Sequence, residues 1–103
     1  MSSYLVMVDD NFHFMDEDAR WRDSAHASAD AAVARCKAIV DDWLAHAVEN
    51  APEPMTAAEL LDTFHHFGED PFVIAPHGEQ RVAFSAWDYA RERARAICEE
   101  EHG

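Results

Sequence analysis

Between Asp9 and Asp18 the chain reads DDNFHFMDED, five carboxylates, one histidine and two phenylalanines in ten residues. Hard cations such as calcium and magnesium need only converging carboxylate oxygens. Asp9, Asp10, Asp16 and Asp18 are therefore metal-ligand candidates, with His13 as the candidate nitrogen donor. An EF-hand is excluded, because that loop needs oxygen ligands at alternate positions, a glycine at the sixth and a glutamate at the twelfth. Counted from Asp9, the fifth and sixth positions are His13 and Phe14; counted from Asp16, the fifth is Arg20 and no glycine follows. The same stretch has a second chemistry. Alternate residues of an extended chain point the same way, so Phe12 and Phe14 share one side and His13 faces the other. With Trp21 shortly after them, Phe12, His13 and Phe14 are candidates for contact with a protein partner. The expectation is a long connection between two strands, pinned inward by Phe12 and Phe14, with His13 and the aspartates turned to water or a partner.

Other chemistry-bearing residues form no constellation. The seven histidines show no H-x-x-x-H spacing, and the two cysteines no CxxC. Adjacent His65 and His66 lie about 100° apart on a helix and cannot readily share one ion. Cys36 and Cys98 fall on apolar helical stripes, where thiols stay protonated and inert, and they are expected to be free. Ser85, in AFSAW, lacks the glycines of a nucleophile elbow and suits a helix N-cap. The three glycines are too scattered for a phosphate loop. No motif requires a cofactor, and no residue set supports an enzyme.

Local patterning supplies the elements that must position these residues. Residues 3–8 and 19–27 are strand candidates flanking the acidic stretch. Ser28 can cap a helix over 29–47, with Val33, Cys36, Val40, Trp43, Leu44 and Ala47 on one face. Pro52 and Pro54 end it. Thr56-Ala-Ala-Glu59 is a capping box, with Met55 and Leu60 as its hydrophobic staple. It starts a helix over 57–66, which Gly68 is expected to close as a left-handed cap. Residues 72–75 and 81–84 are expected to be two strands joined by a turn at 76–79. Ser85 caps a last helix, whose buried stripe is Trp87, Ala90, Ala94, Ile97 and Cys98. The order β-β-α-α-β-β-α predicts a two-layer α+β domain over residues 1–103, an antiparallel sheet of two hairpins with three helices.

Composition bounds the function. The 103 residues are 49% hydrophobic, which fits one globular domain rather than a disordered chain. The net charge of −13 repels phosphate backbones, so no nucleic acid partner is expected. Arg91, Arg93 and Arg95 are offset by neighbouring acids. The first residues carry no basic signal-peptide region, and no run approaches the roughly 18 apolar residues of a membrane span. A cytoplasmic protein with no membrane partner is expected.

DDNFHFMDED with ARCKAIVDDWL, and FGEDPFVI with FSAWDYA, together resemble a group of small bacterial proteins with no established activity. The resemblance covers most of the chain and implies a single small cytoplasmic domain; it carries over no catalytic residue. The first half alone, a hairpin followed by ADAAVARCKAIVDDWL, is similar to HicB-type antitoxins, which neutralise a basic RNA-cleaving partner. The extra elements from Thr56 onward depart from that pattern. The leading expectation is a non-enzymatic α+β protein that binds a protein partner or itself as a homodimer. The alternatives are a metal-dependent enzyme or sensor built on the Asp9–Asp18 stretch, and a HicB-like antitoxin.

Overall fold

The computed structural model describes residues 3–10 and 20–102. The elements are β1 (Tyr4–Asp10), β2 (Arg20–His26), α1 (Ala29–Asn50), α2 (Ala57–Phe67), β3 (Glu69–Ile74) and α3 (Ala86–His102). This is an α+β fold with a three-stranded antiparallel sheet in the order β2-β1-β3. The chain makes one hairpin from β1 and β2, then adds β3 to the far side of β1 after two helices.

β1 is central because its apolar, β-branched run suits a strand buried on one face. Val6 and Val8 are fully buried on that face, and register places Val73 and Pro71 of β3 beside them. Pro71 has no N–H for a ladder, and β3 is an edge strand, where that loss is tolerated.

Capping sets the helix starts. Ser28 accepts from the Ala31 N–H at 3.1 Å, and Ser85 from the Asp88 N–H at 3.2 Å. At α2 the capping box is complete, Thr56 and Glu59 each bonding the other's N–H at 3.1 Å. α1 buries Ala32, Cys36, Ile39, Val40 and Leu44, a stripe at three- and four-residue steps. Its first half packs on the sheet with Val6 and Val8; its second half meets Leu60, Phe64, Ala86, Ala90, Ala94 and Cys98 of the other two helices. Phe84 touches both clusters and joins them. The small stripe of α3, mostly alanine, lets that helix approach closely.

Two expectations fail. Residues 81–84 are not a strand, so there is no second hairpin and the order is β-β-α-α-β-α. The turn does form, with the Glu79 N–H donating to Pro76 O at 3.0 Å and Gly78 at φ +88°. The chain beyond it alternates exposed and half-buried residues as a strand would. Phe84 is drawn between the two core clusters and Ser85 must cap α3, which leads the segment away from β3. The partner that β3 needs is β1 instead. The second failure is Gly68, which sits at φ −79° rather than in the left-handed region. Glycine is required there by crowding: a Cβ would lie 2.5 Å from Phe64 O and 2.6 Å from the Phe64 ring.

Candidate functional site

Of the residues singled out in the acidic stretch, the structure places Asp9, Asp10 and Trp21; Phe12, His13, Phe14, Asp16 and Asp18 lie outside the described residues. Successive residues of β1 point to opposite faces. Asp9 and Asp10 therefore do not converge. Asp9 turns to the face away from the helices, where Arg20 holds it through two bonds, Nε–Oδ1 at 2.6 Å and Nη2–Oδ2 at 3.1 Å. Asp10 is paired with Glu69 on the helix side; burial raises the pKa of Glu69, and the Asp10 charge adds to that rise. Trp21 is 39% exposed on the outer strand β2. Among the described residues, no three His, Cys, Asp or Glu side chains group closely enough to hold a metal ion.

A polar cluster not anticipated from spacing lies where β2 meets α1. The β1–β2 register slips by one residue, from Val6 opposite Ser24 to Met7 opposite Arg22, which leaves Asp23 as the extra residue of a bulge. Bulges re-aim side chains, and here Asp23 turns toward α1. Arg35 grips it with Nε–Oδ2 at 2.7 Å and Nη2–Oδ1 at 2.9 Å, which holds the Asp23 carboxyl below its ordinary range. The Ser24 hydroxyl donates to Asp23 at 2.8 Å and also lies 2.8 Å from His26 Nε2. A hydroxyl has one proton. With that proton on Asp23, His26 must donate to Ser24, the reverse of the polarity that activates a serine nucleophile. The set is a structural chain, not a catalytic one.

Beside it, a cleft of about 310 Å³ is lined by Asp23, Arg35, Ile39, Asp42, Trp43, His46 and Glu69. Its lining sets Ile39 and Trp43 beside three acids, Arg35 and His46, so chemically it can take a cationic side chain. Burial raises the pKa of Glu69, and the Arg35 charge opposes that rise. No residue in this cleft is marked in the sequence by motif spacing; the bulge and the β3 pairing bring them together.

The helical chemistry is structural too. Burial pushes the Cys36 thiol up to about 11, and Cys36 and Cys98 are both buried and not joined in a disulfide. Tyr89 donates to Asp41 at 2.9 Å and Arg93 to the same carboxylate at 3.0 Å, tying α3 to α1; burial is the first reason that Tyr89 is pushed up to about 12. His65 packs edge-on against Trp87, centroids 4.9 Å apart, and against His66 at 5.3 Å.

The remaining surface is the sheet face opposite the helices. Register puts Leu5, Met7 and Asp9 of β1 there, with Arg20, Arg22 and Ala25 of β2 and Asp70, Phe72 and Ile74 of β3. The Arg20 guanidinium lies 5.0 Å from the Phe72 ring centroid, two strands away across β1, which confirms the shared face. Ile74 is 45% exposed, and Leu5, Met7 and Phe72 are half-buried. All three described helices pack on the other side or on one another.

The described residues thus form a small α+β fold in which helices cover one face of the sheet and none of the described residues covers the other. No family model, curated protein or solved structure matches the chain. Among the described residues, no helix is long and apolar enough to cross a membrane.

Proposed function

We propose that this chain is a small non-enzymatic domain that binds a protein partner or a second copy of itself through the open face of its sheet. The observation that supports it is the set Leu5, Met7, Phe72 and Ile74, apolar side chains clustered on the face that no described helix covers. Contiguous apolar surface rimmed by charge marks interaction sites more often than scattered single residues do. The resemblance to small bacterial proteins of a single domain agrees with this reading. The Asp9–Arg20 pair and the opposed directions of Asp9 and Asp10 give the metal-dependent alternative no support. A basic toxin would be drawn to the acidic helices rather than to this face, so no observation here favours the antitoxin alternative.

Ile74→Asp tests the reading, because it places a charge in the patch without entering the core. Cross-linking of the tagged chain, both purified and in native lysate, should give adducts with the wild type that the variant loses. The variant's melting temperature should stay within a few degrees of the wild type. Equal adducts for both proteins, or none for either, would rule the open face out.

A further inference from the structure

We propose that the open sheet face docks on the same face of a second copy, about a two-fold axis parallel to β1, so that Arg22 of each copy meets Asp70 of the other. The inference rests on the protein-binding reading above and names the partner.

The charge layout carries it. The whole chain has a net charge of −13, a poor start for self-association. The open face is different: Asp9 and Asp70 are balanced there by Arg20 and Arg22, so it is locally neutral. The two signs are also separated by strand. Outer strand β2 brings both arginines, and outer strand β3 brings Asp70 and the Phe72 ring. Asp9, on central β1, is already neutralised by Arg20 at 2.6 Å. Arg22 and Asp70 have no ion-pair partner among the described residues. Asp70 is moreover partly desolvated, and burial raises its pKa. Among the described residues, a half-buried carboxylate without a cation and an exposed guanidinium without an anion thus sit on opposite edges of one apolar face.

A two-fold axis along β1 stacks β1 on its copy and exchanges the edges, β2 over β3 and β3 over β2. By register Arg20 then lies level with the partner's Asp70 and Arg22 level with the partner's Phe72, two residues along β3 from Asp70. The Arg22–Asp70 pair is therefore made diagonally, twice per dimer, while Leu5 and Met7 meet their own copies near the axis. Two such sheets pack with their strands roughly aligned, about 10 Å apart. The other in-plane two-fold, across the strands, would set the charged Asp9 row over the apolar row of Leu5, Ala25 and Ile74. Charge complementarity therefore favours a second copy in this orientation, since a copy of this chain offers a matching basic edge and acidic edge together. The face measures about 23 Å by 14 Å from strand rise and spacing. That is below the roughly 800 Å² per partner of a standard interface, so the dimer is weak and concentration-dependent.

Light scattering on wild type, Arg22→Glu, Asp70→Lys and an equimolar mixture of the two variants tests the proposal. The wild-type mass should climb with concentration from 11.6 kDa toward twice that value. Each variant alone should stay monomeric, and the mixture should recover the dimer, because each face then regains opposite charges. Unchanged circular dichroism for the variants excludes unfolding, and a misfolded variant could not restore the dimer on mixing. A wild type that stays monomeric overturns the second copy as partner, while the broader reading still stands or falls on Ile74→Asp. A wild type that dimerises while both variants also dimerise overturns the Arg22–Asp70 geometry and leaves self-binding intact.

Discussion

Asp23 owes its position to the one-residue slip between β1 and β2, and that slip decides how the protein responds to acid. Arg35 lowers the pKa of Asp23, so its stabilising contribution is present above the unfolded value and is lost as the pH falls through the lowered folded value. Glu69 and Asp70 act oppositely. Burial raises both above their ordinary 4.5 and 3.8, so the folded state takes up these protons first. Stability should therefore rise as the pH falls from neutral through those raised values, then decline at lower pH as Asp23 protonates. Urea unfolding across this range should show a maximum on the mildly acidic side, and Glu69→Gln should flatten its neutral flank. A stability that falls steadily from neutral pH would contradict these environments. None of the three residues is marked by its spacing in the sequence. RWRDSAH reads as an ordinary strand, and a bulge is fixed only when its partner strand is present. The acidic stretch was conspicuous by composition instead, yet Asp9 and Asp10 diverge because neighbouring strand residues always do.

At the scale of elements, caps and apolar stripes were legible because they are local. Ser28, the Thr56–Glu59 box and Ser85 mark the three helix starts, and each cap forms. The stripe over Cys36, Val40 and Leu44 likewise turns inward. Strand pairing was not legible, because it depends on long-range competition. Residues 81–84 have a strand's alternation, but β1 supplies the partner that β3 uses, and the pull of Phe84 into the core wins locally. Gly68 shows a similar confusion of causes, since a glycine at a helix end suggests a left-handed cap while crowding against Phe64 is what requires it here. Gly68→Ala should cost about 1–3 kcal/mol, the range of overpacked sites. Urea denaturation measures it, and a neutral effect would show that the α2–β3 junction yields easily.

For the whole molecule, the charge of −13 and the neutral sheet face are two sides of one arrangement. Most of the described acids lie away from the open face, where they repel one another in the compact state. Moderate NaCl should screen that repulsion and raise the melting temperature; a flat or falling response would mean that the acids are already compensated locally. The α+β class was legible from the number and order of amphipathic segments. The open face was not, since alternation gives each strand two faces without saying which one the helices will cover. Met7 lies on that face, whereas Met55 packs against the helical core cluster, so the two thioethers report on opposite sides of the molecule. The most direct measurement is peroxide oxidation of native protein at low and high concentration, read by mass spectrometry at each methionine. Met7 should become protected as concentration rises while Met55 does not change. Equal oxidation of Met7 at both concentrations would contradict docking of a second copy on the open sheet face.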